Sequence, residues 1–283
     1  MCSSDLGLTE PPKTVDELMD YAKKLTVKNA DGSLEVVGFD PSFGFFQNTA
    51  QSWAPLWGAK WTDDQGKSTL ASDPAWTNML TWQKELVDFY GYENLVKWQA
   101  GVGDEFSPEN AFETGKLAMN YDGEWRTAFI KNEAPDLNYG TAPAPTSDPS
   151  LSGAGSINGT IIGMPEGSDN PDEAWALLKY LTTDDKALVE LANGLGNVPS
   201  TTSSSQSPDL DLPEQFSTFV DVFNSEHSDT PPITAVGNGY QQLMQSFLAE
   251  WQAGKVDDLA AGLADVDKQI DAQLEQATGG GAP

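Results

Sequence analysis

Cysteine and histidine are almost missing: 283 residues hold one of each, Cys2 and His227. A single cysteine closes no internal disulfide, and the chain has no CxxC or Cys/His cluster of zinc-ligand spacing. Ser-His-Asp or Cys-His catalysis is left with one candidate base, in the polar stretch NSEHSDTPP. Basic residues are scarce, 15 against 43 acidic, giving a formal net charge of −28 and a pI near 4.1. Such a surface repels phosphate backbones and anionic lipid headgroups, so no nucleic-acid partner is expected. The acids are spread along the chain, the pattern of a solvated surface. No apolar run reaches the ~18 residues that span a bilayer, and the opening MCSSDL has neither the basic nor the apolar region of a signal peptide. There is no internal repeat and no P-loop. Gly101-Val102-Gly103 and Gly153-Ala154-Gly155 stand outside any strand–GxGxxG–helix frame. No cofactor, metal or catalytic residue is expected.

What is present is a helix-rich α/β pattern. Thr14-Val15-Asp16-Glu17 spells a capping box that opens a helix to about Leu25, with Leu18, Tyr21, Ala22 and Leu25 on one face. LEVVGFDPSFGFFQ (34–47) reads as a short strand and an aromatic loop, and QSWAPLWGAKW runs into a turn at Asp63–Gly66. Asp73-Pro74 starts a long helix striped by Trp76, Met79, Leu80, Leu86, Val87 and Tyr90. A short helix is expected from Pro108 to Thr114, stopped by Gly115, then a strand over KLAMN (116–120) and a helix opening at Asp122–Trp125. The Pro/Gly/Ser-rich stretch 139–163 reads as a crossing between two bodies. Thr160-Ile161-Ile162 is expected as a strand, followed by helices from Asn170 (carrying Trp175, Leu178 and Leu181) and from Asp184 to Ala192. STTSSSQSP reads as a linker. Two closing helices follow, striped by Tyr240 to Trp251 and by Val256 to Leu274 with Gly254 between them.

Aromatic residues are plentiful, including nine Trp. Trp faces beside polar acceptors suit a sugar ring, whose C–H face stacks while its hydroxyls hydrogen-bond. Trp125, beside Asp122 and Glu124, and Trp53 fit that pattern, whereas Trp57, Trp61 and Trp76 read as core. Tyr240 lies on a helical stripe that also favours core. Asp122 and Glu124 at i and i+2 do not face each other on a helix, so they make a poor hydrolase dyad. Asn158-Gly159-Thr160 matches a glycosylation sequon of the kind that arises by chance.

Several of these stretches, taken in order, resemble one family. PPKTVDELMDYAKKLT, DPAWTNMLTWQKELVDF, ENAFETGKLAMNYDGEW, GTIIGMPEGSDNPDEAWALLKYLTTDD and FLAEWQAGKVDDLAAGLADVDKQIDAQL resemble the extracellular solute-binding proteins of ABC transporters, in the maltose-binding-protein-like class. The resemblance runs from Gly7 to Gln276. It implies a two-lobe periplasmic-binding-protein-like α/β fold whose lobes close on a ligand about a hinge, with binding and no turnover. Trp125 matches the family's G-x-W tryptophan, which stacks on a pyranose in sugar binders. Asp122 and Glu124 would accept sugar hydroxyls, Trp53 and Tyr240 would supply further aromatics, and Gly155, Ser156 and Asn158 would line the cleft at the crossing. The implied partners are a carbohydrate and the permease subunits in the membrane, the protein acting as a monomer outside the cytoplasm, periplasmic or lipid-tethered. A glycan-active hydrolase, or a relative binding a polyamine or other cation, are the alternatives.

The resemblance also divides the chain. Residues 7–156 and 206–276 would form the second lobe, nearly complete, and 157–205 a segment of the first lobe, with 277–283 a disordered tail. The opening half of the first lobe has no counterpart here, so the chain reads as a fragment with impaired binding and an uncovered apolar face on 157–205. Residues 1–6 read as non-native: TGC-TCT-TCC-GAT-CT encodes Cys-Ser-Ser-Asp-Leu and resembles the tail of a sequencing-library adaptor.

Overall fold

The computed structural model describes residues 7–279, so the reading of residues 1–6 and the last four positions of the tail lie outside it. The chain opens as expected with α1 (Val15–Leu25). Thr14 Oγ1 accepts the Glu17 N–H at 3.2 Å while Glu17 Oε2 accepts the Thr14 N–H at 3.2 Å, closing the capping box. Its buried face is Val15, Leu18, Met19 and Ala22. Strands β1 (Val27–Lys28) and β2 (Leu34–Val36) follow as an antiparallel hairpin. At Gly38 the backbone lies so close to α1 that a Cβ would stand 2.0 Å from the Ala22 carbonyl oxygen, a place only glycine fills.

Helices α2 (Ala50–Trp57), α3 (Pro74–Tyr90) and α4 (Tyr92–Gln99) come next, and the last two helices, α10 (Gly239–Gln252) and α11 (Leu259–Gly279), return from far along the chain to pack with them. Trp76, Met79, Leu80 and Leu86 of α3, Met244 and Leu248 of α10 and Leu263 of α11 are all fully buried. Asp73 caps α3 by accepting the Ala75 N–H at 2.9 Å, with Pro74 at the first helical position. This core is drawn from residues 15–117 and 240–270, and it takes nothing from 157–205.

The intervening chain carries α5 (Arg126–Glu133), α6 (Pro171–Thr183), α7 (Asp185–Leu195), α8 (Thr202–Ser205) and α9 (Ser217–Phe223). Helix α6 has no buried residue; its Trp175 is 62 % exposed, and Ile161 just upstream is 94 % exposed. Parallel bridges Thr14–Thr146, Val37–Leu117 and Ser156–Asp229 tie the long connections to the body.

Four expectations need correction. Thr160–Ile162 forms no strand, because its backbone finds no ladder partner among the described residues. Pro108–Thr114 is a series of turns rather than a helix: Asn110 Oδ1 takes the Phe112 N–H at 2.9 Å, diverting a donor that a helix would use. KLAMN makes only the single bridge at Leu117, with Val37 donating to the Lys116 carbonyl and receiving from Ala118, both at 2.9 Å. The tail does not begin at 277, since α11 continues to Gly279 and Thr278 Oγ1 donates to the Leu274 carbonyl at 2.7 Å. Two helices stand where none is expected, α2 in the aromatic stretch QSWAPLW with Pro55 inside it, and α8 in the serine run read as a linker, capped by Thr201.

Candidate functional site

Trp125 stands at the N-cap of α5 and is half-buried. Its six-membered ring lies over Gly123 so closely that a Cβ there would fall 2.3 Å from Trp125 Cη2 and Cζ3. Gly123 is therefore the seat of the ring, and any side chain in its place would push the indole off. The indole N–H is buried without a partner.

The acids beside Trp125 are more occupied than their sequence positions imply. Asp122 Oδ2 accepts Arg126 Nε at 2.7 Å and Asn120 Nδ2 at 2.8 Å, and Oδ1 accepts the Gly123 N–H at 2.8 Å. Burial pushes its carboxyl up to about 6, against the pull of Arg126. Glu124 is also raised by burial, opposed by the backbone N–H groups of Glu124 and Val198. Asp122 thus spends its acceptors within the protein.

Tyr121 extends the same face toward the crossing segment. Its hydroxyl donates to the Ser52 carbonyl on α2 at 3.2 Å, and burial pushes it up to about 12, opposed by the Ser156 N–H. Asn158 Oδ1 accepts from Gln51 Nε2, also on α2, at 2.9 Å. Ser156 bridges Asp229, and Gly155 has no room for a side chain: a Cβ would lie 2.5 Å from Val222 Cγ1. So Gly155, Ser156 and Asn158 come together with Tyr121 and the start of α2. A crevice beside Ser156, lined in part by Gln51, Pro55, Trp61 and Asp229, is about 20 Å³, room for roughly one water.

Trp53 and Tyr240 go elsewhere. Trp53 is 2 % exposed, its indole N–H donates to Asn48 Oδ1 at 3.0 Å, and its ring packs on Phe39, Phe43 and Trp82. Although on α2, it faces inward, because that face of the helix meets α3. Tyr240 is 3 % exposed and stacks edge-on against Trp61, with its hydroxyl donating to the Pro232 carbonyl at 3.3 Å. In this structure both are core residues.

Three residues of this face went unmarked in the sequence. Gln51 and Tyr121 gave no compositional signal. Arg126 did: it is the only arginine among 15 basic residues, and it directly follows the tryptophan. A fourth, Phe106, is 57 % exposed, with its ring 5.7 Å from Phe129 of α5. Among the described residues no group of three His, Cys, Asp or Glu could hold a metal ion, and His227 stands at the surface 3.9 Å from Glu226.

The sequence profile of bacterial extracellular solute-binding proteins matches residues 3–217, and the chain belongs to that family. It is 26 % identical over 209 residues to a maltotriose-binding protein of Pyrococcus abyssi, a match covering 72 % of this chain and 42 % of that protein. A putative binding protein of Brucella abortus is 27 % identical over 183 residues, 63 % of this chain and 42 % of the relative. Among solved structures, CpMnBP1 with mannobiose bound superposes with a TM-score of 0.82 at 25 % identity, covering 92 % of this chain and 64 % of that one. The maltodextrin-binding domain MalE of Bdellovibrio bacteriovorus, bound to maltotriose, shares the maltose-binding-protein-like fold at a TM-score of 0.64 and 20 % identity. The chain therefore spans about two fifths of these curated relatives and about two thirds of the solved neighbours.

Proposed function

We propose that this chain is the carbohydrate-capturing part of an ABC importer, holding a sugar or oligosaccharide outside the cytoplasm and presenting it to a membrane permease. The observation that carries the reading is Trp125, partly exposed at the start of α5 with its ring seated on Gly123. An aromatic face fixed at the edge of an open surface is what a pyranose ring stacks on. The relatives' ligands, mannobiose and maltotriose, support the same class of solute.

On this reading Glu124, Asn158 and Ser156 supply polar contacts around the stacked ring, while Asp122 supports the loop beneath it. Phe106 offers a second apolar platform for a longer chain. Residues 7–156 and 206–276 belong to one lobe and 157–205 to the other, with the crossing at Gly155–Asn158 acting as part of the hinge. If a longer chain supplies the rest of the first lobe, the exposed Trp175 and Ile161 mark the face it covers, and the protein acts outside the cytoplasm, free in the periplasm or tethered by a lipid.

A ligand panel tests this reading. Mannobiose, maltotriose, simple hexoses and spermidine are titrated in parallel, and the recovered sugars are chromatographed. Stoichiometric binding of a saccharide that is recovered intact is the expected result. Cleaved sugar would favour a hydrolase, and binding confined to spermidine would favour a cation binder drawn to the acidic surface.

A further inference from the structure

We propose that Arg126 is a positioning residue that aims Trp125 by clamping three loops beneath it. This proposal deepens the sugar-binding reading and rests on it for its meaning, though not for its test. The guanidinium is buried, 5 % exposed at the side chain, and each of its three nitrogens has a separate target. Nε donates to Asp122 Oδ2 at 2.7 Å, on the loop that carries Gly123 and Trp125. Nη1 donates to Glu113 Oε1 at 2.8 Å, in the turns that replace the expected 108–114 helix. Nη2 donates to the Glu105 carbonyl at 2.6 Å, next to the exposed Phe106.

The clamp reaches further through its neighbours. Glu105 Oε1 accepts from Gln47 Nε2 at 2.7 Å, so the aromatic loop before α2 is tied to the same centre. Phe129, one turn along α5, lies under the guanidinium at 5.2 Å and also meets Phe106. Phe106 directly follows the Glu105 carbonyl that Arg126 holds, and Trp125 stands between the held Asp122, three residues before it, and Arg126 itself.

The choice of residue is itself informative. All fourteen other basic residues of the chain are lysines. A lysine is a point charge on a flexible stem and can satisfy one such direction well; a planar guanidinium holds several at fixed angles. Placing the chain's single arginine here fits a demand for geometry rather than for charge. Asp122 and Glu113 are 7 % and 2 % exposed at their side chains. Two carboxylates buried around one cation are costly unless the hydrogen bonds are well made. That cost makes sense where the loops must be fixed.

The test labels the nine tryptophans with 5-fluorotryptophan, assigns Trp125 with W125F, and records fluorine NMR spectra of the ligand-free protein. In R126K the Trp125 resonance should shift or broaden while the other eight stay in place. D122N, which loosens one arm of the clamp, should move the same resonance less. An unmoved Trp125 signal in folded R126K overturns the proposal; so does a uniform change of all nine signals in both variants, which would make the arginine merely structural. Mannobiose titration adds a coupling readout. R126K should weaken binding by about tenfold in the wild-type background and have little further effect on W125A. Equal losses in both backgrounds would contradict the proposal. If the wild type binds no sugar, the proposed function fails and the fluorine spectra alone decide the clamp.

Discussion

At the residue scale, one glycine of the candidate site and one carboxylate of the core show what close packing and burial do. Gly123 has no Cβ because the Trp125 ring occupies that space at 2.3 Å. G123A should displace the indole and weaken sugar binding, read by titration calorimetry, with a small cost in Tm because the loop can open outward. Asp40 is a contrasting case in the core, 1 % exposed, accepting the Ser42 N–H and Gln99 Nε2 at 2.9 and 2.8 Å with no cation facing it. Burial pushes its carboxyl from 3.8 up to about 6. A raised carboxyl pKa favours the protonated folded form, so its stabilising contribution is present below about 3.8 and is lost as pH rises through about 6. D40N should therefore gain in Tm relative to the wild type between pH 4.5 and 7.5, by a few degrees for a difference on the order of 2 kcal/mol. A gap between the two proteins that does not change with pH would contradict this account of Asp40. Trp125 was singled out in the sequence because a motif marks it. Trp53 and Tyr240 are buried in this structure; the helical stripe of Tyr240 already favoured core, whereas the inward turn of Trp53 is set by packing partners of α2 that the sequence alone does not show.

Helices were largely legible, because caps and apolar periodicity are local. The Thr14 box, the Asp73-Pro74 start and the stripes of α10 and α11 all stand where the spacing placed them. Strands were less so: the short strand expected at Leu34 is β2, but a strand exists only when another backbone pairs with it, and Thr160–Ile162 lacks that partner among the described residues. The two tryptophans Trp76 and Trp175 separate these cases experimentally. Trp76 is fully buried in α3, whereas Trp175 is 62 % exposed on α6. W76A should cost about 3–5 kcal/mol by chemical denaturation. W175A should cost less than about 1 kcal/mol and reduce binding of an apolar dye. Similar losses at both positions would mean that α6 is packed in solution in a way the structure does not contain.

At the scale of the whole molecule, one core joins the beginning and the end of the chain, and 157–205 stays outside it. The sequence marked 157–205 as a unit of one strand and two helices between linker-like segments; the two helices form and the strand does not. If a longer chain supplies the rest of the first lobe, its protein should show less dye binding and bind sugar at least about a hundredfold more tightly, because both walls of the cleft are then present. Equal affinity in the two forms would place all of the binding energy on the face described here. The most direct measurement of the central claim is calorimetric titration of mannobiose or maltotriose into the wild type and W125A. The account predicts a saturable one-to-one heat in the wild type, weakened at least about thirtyfold in W125A, as the loss of a roughly 2 kcal/mol aromatic anchor requires. No saturable heat at millimolar sugar, or the same affinity with and without the indole, would contradict it.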